Sequence, residues 1–232
     1  MSIKDSVLSR YDIVADRVKF VVDLIDLESI NIILDVGSWH LKQSIEFAEL
    51  FPEAKIYAFE PNPNNYQECI STYNSASESV KSRIEIFNTA VDSIDGTIKF
   101  YPVINENPGA SSKYKFVEGL NGTFLGKDWI QEEIEVDATT LDTWATENSI
   151  SSVDCIWIDV QGAELDVFKG ARDILTNVKV IFTEVATKSY YDGQPLYSEL
   201  NEFLVNEGFC EVEISREDNV IGYEINTIYV RK

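Results

Sequence analysis

The chain of 232 residues contains one histidine and three cysteines. A single histidine excludes a multi-histidine metal cluster. Cys69, Cys155 and Cys210 stand far apart, each inside an apolar pattern, which fits buried thiols in a reducing compartment better than disulfides or a zinc site. No run of 18 apolar residues occurs, and the opening MSIKDSVLSR lacks the apolar core of a signal peptide. Neither a membrane span nor export is therefore expected, and the cytoplasm is the expected compartment. Basic residues are scarce, 19 against 40 acids, giving a net charge of −21. Such a surface repels phosphate backbones and argues against a nucleic-acid substrate. The acids are dispersed, as on solvated helix faces, and form no tail.

What is present is ample core material, 44% hydrophobic and 12% aromatic, consistent with one domain over residues 1–232. Val14, Val18, Val21 and Ile25 recur at helical spacing and predict an added N-terminal helical segment within residues 1–28. NIILDVG reads as a buried strand ended by Gly37, followed by a short helix from Ser44 to Phe51 and a second strand, KIYAFEP. Asn62 before Pro63 is a helix start, a side-chain cap ahead of proline at the first helical position, with Tyr66, Cys69, Ile70 and Tyr73 on one face. IEIFNTAV, TIKFYPV and IEVDATT are further strands, and LDTWATEN is a short helix. CIWIDV is a strand leading into a helix with Leu165, Phe168 and Leu175 inward. KVIFTEV, a helix marked by Leu196, Leu200, Phe203 and Leu204, and the strands CEVEIS and INTIYVR close the chain. Residues 103–135 form an irregular insertion, and so long a stretch in a compact domain is usually functional or mobile. The alternation predicts an α/β fold: a mostly parallel, doubly wound sheet with an antiparallel edge.

In such sheets ligands lie beyond the carboxyl ends of the strands, near the point where strand order reverses. The strands end at Asp35-Val36-Gly37, Phe59-Glu60-Pro61, Asn88-Thr89-Ala90, Asp159-Val160-Gln161 and Glu184-Val185. Glu60 can accept hydrogen bonds from both hydroxyls of a ribose; the plainer reading is a helix-entry acid ahead of Pro61. A dinucleotide also needs a G-x-G-x-x-G cradle for its pyrophosphate, yet after Gly37 the next glycine is Gly96. A ribose acceptor without a phosphate cradle favours a nucleoside cofactor lacking phosphates, and S-adenosylmethionine, whose sulfonium is cationic, suits a cluster of acids.

The ordered set DVGS with QSIEF, FEPNP, FNTAV with DGTIKFY, LDTW, IWIDVQGAELDVFKGA and TEVATKSYYDGQPLYSELNEFL resembles the FkbM-type methyltransferase family over roughly residues 31–210. The resemblance implies a seven-stranded Rossmann-like class I methyltransferase fold and S-adenosylmethionine-dependent O-methylation of a sugar, glycan or other small-molecule hydroxyl. Asp35, Gly37 and Ser38 fall on the family's cofactor loop, Glu60 and Pro61 at the ribose, and Asn88, Thr89 and Ala90 where adenine is held. Asp159, Gln161, Gly162 and Glu164 resemble its D-x-x-G-x-E signature, and Tyr191, Gly193 and Gln194 its Y-x-G-Q element. One departure stands out: the family commonly has a second glycine where this chain has Leu41, so the loop is expected to be reshaped by bulkier side chains.

Asp159 is the expected base for the acceptor hydroxyl, with Glu164 and Glu184 as further acids in the crevice; crowded acids raise one another's pKa. The plain alternative has Asp159 capping the next helix and Glu164 paired with a surface lysine. His40 is a weaker candidate base. Ser111 and Ser112 of NPGASS, with Tyr191 and Gln194, are expected at the substrate wall, and Trp39, Trp129 and Tyr191 can stack on sugar rings or belong to the core. No metal is expected. The expected partner is a hydroxyl acceptor, without nucleic acid or membrane, a homodimer being left open. The rival to an enzyme is a cofactor-binding or assembly module with reduced catalysis, hinted at by Leu41; a nicotinamide dehydrogenase ranks third.

Overall fold

The computed structural model describes residues 30–118, 129–215 and 224–232. The expected N-terminal helix lies outside them. Strands β1 (Ile32–Val36), β2 (Lys55–Phe59), β3 (Ile84–Phe87), β7 (Cys155–Ile158), β8 (Val180–Ala186), β9 (Phe209–Ser215) and β10 (Glu224–Arg231) form one sheet in the order β3-β2-β1-β7-β8-β10-β9. The order reverses at β1, which pairs in parallel with both β2 and β7. β10 runs antiparallel to β8 and β9, so the antiparallel strand sits one place inside the sheet edge.

β4 (Ala90–Val91), β5 (Gly96–Phe100) and β6 (Ile134–Thr139) form a separate three-stranded sheet in the order β4-β6-β5. The expected single strand IEIFNTAV is therefore two. It breaks at Asn88, whose side chain leaves the ladder direction to donate to the Glu60 carbonyl at 2.7 Å.

Helices α1 (Lys42–Leu50), α2 (Pro63–Ser75), α3 (Glu78–Lys81), α4 (Leu141–Glu147), α5 (Glu164–Lys169), α6 (Arg172–Leu175) and α7 (Tyr197–Asn206) cover the two faces. Asn62 caps α2 by accepting from the Asn64 amide at 3.0 Å, with Pro63 at the first position. The face of α2 turned inward is Asn65 and Cys69, since Tyr66, Ile70 and Tyr73 are only half-buried. The helix expected after Gly162 is split into α5 and α6 at Gly170. A Cβ there would lie 2.3 Å from the Asp92 carbonyl oxygen, so the chain bends where two backbones meet. Of the cysteines only Cys69 is fully buried; Cys155 and Cys210 are half-buried, and all three are free thiols.

Two apolar clusters sandwich the sheet, and strand alternation sorts them. Leu34, Val36, Phe59, Ile156, Ile158 and Ile181 pack on one face with Trp144, Leu200 and Leu204. Ile33, Ala58, Trp157, Phe182 and Ile228 pack on the other with Leu41, Phe47 and Ala48 of the α1 region. Asp35, Glu60, Asp159 and Glu184 lie two residues further along their strands, and Asn226 two residues earlier on its antiparallel one, so these five polar groups start from the α1 face.

Residues 103–118 and 129–133 fold back over the carboxyl end of the sheet. Tyr101 bridges Ser112, Val103 bridges Gln131, and Phe116 bridges Tyr191, with one helical turn at Pro108–Ala110. Half-buried Lys113 fastens this segment by pairing with both Asp92 and Asp166, the latter at 3.0 Å. Tyr114 donates to the same Asp166.

Candidate active site

Continuing the sheet register one residue past β1, β2 and β7 places Glu60, Gly37 and Asp159 side by side with Glu184, which still lies within β8 and stands directly opposite Asn226. Gly37 is the gap in that row. It has φ +88°, and a Cβ would meet the Asp159 carbonyl oxygen at 1.9 Å, so the close approach of β1 to β7 admits only glycine. The amides of Gly37 and Ser38 both donate to the Phe59 carbonyl at 3.0 Å, and the buried Ser38 hydroxyl donates to the same oxygen. The loop thus leaves β1 as a tight turn fastened to β2.

Leu41 has φ +67°, the left-handed conformation a glycine would take, and is fully buried beside Phe47 and Trp157. The reshaping expected of this loop does not reach the cleft through Leu41, because its side chain points into the core. Burial of a leucine offsets the left-handed strain, roughly 1–2 kcal/mol. The bulky residue that does line the cleft is Trp39. Its ring atoms lie 3.3 Å from where a Gly109 Cβ would stand, and its other neighbour is His40, stacked at 4.1 Å.

On the β2 side of Gly37, Glu60 is buried; its carboxylate accepts from the Trp39 amide at 2.8 Å and the Asn62 amide at 2.9 Å. Burial pushes its pKa up to about 8, against the pull of those hydrogen bonds. Asp35 is buried too, accepts from the Ser44 hydroxyl, and is raised to about 7 by burial, with the Asp159 charge adding. Pro61, Thr89 and Ala90 line an adjoining apolar lobe with Val36, Phe59 and Val160, whereas Asn88 is exposed and serves the Glu60 and Pro61 carbonyls. The two lobes hold cavity volumes of about 30 and 60 Å³, room for a few waters, so a nucleoside needs Trp39 or the Pro108–Ala110 turn to move aside.

On the β7 side, Gln161 sits in a left-handed turn with φ +56° and ties the crevice together. Its Nε2 donates to Asp159 Oδ1 at 2.7 Å and lies 3.4 Å from Glu184 Oε2, while its Oε1 lies 3.0 Å from the Tyr191 hydroxyl. Tyr191 is buried, its hydroxyl also 2.9 Å from the Ala110 carbonyl. Glu164 is turned toward its own loop: it is buried, and Oε1 accepts from the Val160 and Gly162 amides at 3.1 Å, with pKa raised to about 8 by burial. The plain alternative does not describe these acids either, as α5 has no side-chain cap and Glu164 meets its own loop instead of a lysine.

Ser111, Ser112, Tyr191 and Gln194, expected at the substrate wall, are all buried and hydrogen-bonded to the chain itself. The Ser111 hydroxyl donates to the Pro108 carbonyl at 2.6 Å, and that of Ser112 to the Gln161 carbonyl at 2.7 Å. Gln194 accepts from the Tyr190 and Tyr191 amides, and its side chain packs on Gly162. They support the crevice and present little surface to it. Sequence reasoning missed Glu224, a carboxyl whose pKa is raised by burial and by the charge of Asp159. An antiparallel strand begins where its neighbour ends, so the first residues of β10 were legible as crevice residues once its direction was known. No group of three or more metal-binding side chains occurs among the described residues, and none of their helices is long and apolar enough to cross a membrane.

Among curated proteins, the 2-O-methyltransferase NoeI of Sinorhizobium fredii is 29% identical over 168 residues, 70% of this chain and 66% of that protein. The chain thus spans just under two thirds of that relative's length. Among solved structures, magnesium protoporphyrin IX methyltransferase (ChlM) from Synechocystis PCC 6803 with bound SAM superposes with a TM-score of 0.54 at 12% identity, covering 99% of this chain and 79% of that one. Precorrin-6y C5,15-methyltransferase from Geobacter metallireducens gives 0.51 at 13% identity, covering 94% and 88%. These likenesses show the Rossmann-like class I methyltransferase fold. The model of the methyltransferase FkbM domain matches residues 31–210, most of the chain, and the protein belongs to that methyltransferase family.

Proposed function

We propose that the protein is an S-adenosylmethionine-dependent O-methyltransferase acting on a hydroxyl of a sugar, glycan or other small molecule. The observation that carries this reading is the row of strand ends interrupted at Gly37: a buried acid on the β2 side, a gap that only glycine fits, and two acids on the β7–β8 side. A carboxylate offers about four lone-pair positions, and Glu60 uses two on backbone amides, leaving capacity for ribose hydroxyls. Asp35, Ser38, Pro61, Asn88, Thr89 and Ala90 complete the cofactor side of this reading. When bound, S-adenosylmethionine supplies an electrophilic methyl group.

The chain's own residues would do the rest. Asp159 takes the proton of the acceptor hydroxyl, a contribution of roughly 10²–10⁴-fold. Gln161 holds the Asp159 carboxylate in place through its 2.7 Å hydrogen bond, and Tyr191 fixes Gln161 in turn. Glu184 shares the crevice as a second acid. Glu164 keeps the loop between Asp159 and α5 closed and acts through it, a positioning residue. The O-methyl chemistry named for NoeI supports a hydroxyl acceptor. Leu41, the hint toward a module without catalysis, lies in the core and away from the cleft. Calorimetric titration with S-adenosylmethionine and S-adenosylhomocysteine tests the reading: micromolar binding is expected, and no binding of either at millimolar concentration overturns it.

A further inference from the structure

The acceptor side of the row does not stop at Glu184. Asn226 on β10 stands directly opposite Glu184 in an antiparallel pair, so their side chains share a face, and Glu224, two residues earlier, shares it too. Asn226 is 3% exposed, and its amide nitrogen has no hydrogen-bond partner. A buried donor left unpaired is uncommon enough to require a reason. Around it the protein offers acceptors: Glu184 beside it, Glu224 on its own strand, and Asp159 close enough for Glu224 to feel its charge.

We propose that Asn226 and Glu224 are specificity-determining residues that grip the acceptor next to its reacting group and select an uncharged molecule with adjacent hydroxyls. The chemistry of the set decides the class. An ammonium can only donate and would satisfy the carboxyls while leaving the Asn226 amide unpaired. A phosphate or carboxylate can only accept and would be repelled by three acids. A hydroxyl both donates and accepts, so two neighbouring hydroxyls can take the Asn226 N–H and donate to Glu184 or Glu224. Lys113, the cation at the cleft wall, is already shared between Asp92 and Asp166. This inference rests on the methyltransferase reading and extends it to the far end of the crevice.

The test is binding, measured by calorimetry on the full chain saturated with S-adenosylhomocysteine, against methyl hexopyranosides, glucosamine and glucuronic acid. The wild type is expected to bind at least one neutral glycoside at least tenfold more tightly than either charged sugar. Asn226→Leu and Glu224→Gln should each lose tenfold or more of that affinity and keep their affinity for S-adenosylhomocysteine. Asn226→Leu should also melt at the same or a higher temperature, because it removes an unpaired buried amide; a purely structural asparagine would lower it. Preference for a charged sugar, or full glycoside affinity in both variants, overturns the proposal. A wild type that binds S-adenosylhomocysteine but no neutral glycoside overturns it and leaves the cofactor reading standing. A wild type that binds no S-adenosylhomocysteine removes both.

Discussion

The two sides of Gly37 are built from similar residues and wired differently. On the β2 side, Glu60 and Asp35 spend their carboxylates on near neighbours: backbone amides of Trp39 and Asn62, and the Ser44 hydroxyl. On the β7 side, Asp159 and Glu184 both meet the Gln161 side chain, which is itself held by Tyr191, 30 residues on in sequence. The first arrangement is local, each acid being held by groups on the loop or helix that follows β1 and β2. The second is assembled from β7, β8, β10 and the 190–194 turn, with an amide donor still unpaired. Under the proposed function, substitutions on that side are expected to change which acceptor fits while the cofactor loop folds as before.

The strongest way to break the comparison is at its pivot. Gly37→Ala forces a Cβ to within 1.9 Å of the Asp159 carbonyl at a positive φ, so both halves must separate. It is expected to destabilise by more than about 4 kcal/mol, read as a collapse of the thermal transition and of S-adenosylhomocysteine binding. An intact melting curve would mean that β1 and β7 are not locked at this point. Asp159→Asn acts on one half only: cofactor affinity should persist while methyl transfer, followed by mass, falls roughly 10²–10⁴-fold. Full turnover in that variant would pass the base to Glu184 or His40.

The halves also differ in how far they could be read from sequence. DVG, FEP and the Asn62-Pro63 helix start are short motifs whose neighbours in sequence are their neighbours in space, so the turn after β1, the end of β2 and the capped helix are legible, while the strand order is not. Leu41 looked like a departure because sequence shows the residue type and not its direction; its backbone keeps the turn while its side chain enters the core. Ser112 and Tyr191 read as wall residues in sequence because a hydroxyl in a loop reads as available. Their partners, the Gln161 and Ala110 carbonyls, lie 49 and 81 residues away. Glu224 escaped because the start of an antiparallel strand has no motif.

Leu41 sharpens the local side. Leu41→Ala keeps the left-handed cost and loses the buried side chain, an expected loss of about 2–5 kcal/mol. Leu41→Gly loses the same contacts but removes the strain, so denaturant unfolding should show it about 1 kcal/mol less destabilised than the alanine variant. The reverse order would mean the turn relaxes when the side chain is cut. A smaller effect is expected from Glu60→Gln, which keeps one acceptor oxygen and replaces the other by an amide that can only donate. At pH 8.5, above the raised pKa of about 8, its affinity for S-adenosylhomocysteine should fall about tenfold, the scale of a hydrogen bond to a charged group, and unchanged affinity would reduce Glu60 to a residue that fastens the loop.

pH dependence separates a positioning acid from a reacting one. Glu164 accepts two backbone amides through one oxygen, and Glu164→Gln can keep both. Burial has raised its pKa to about 8, above the ordinary carboxylate value. A carboxyl that holds its proton more tightly folded than unfolded favours the fold fully below the unfolded value. That contribution is lost as pH rises through the folded value. Asp35, raised to about 7, and Glu60, raised to about 8, act in the same direction, so the wild type should melt progressively lower between about pH 5 and pH 8.5. Glutamine is neutral throughout. At pH 5 the variant and the wild type should melt together, and by pH 8.5 the variant should melt higher, by about 2–4 °C for each kcal/mol recovered in a chain of this size. A constant gap across that range would mean Glu164 stays ionised in the fold, which would return it to the list of bases beside Asp159.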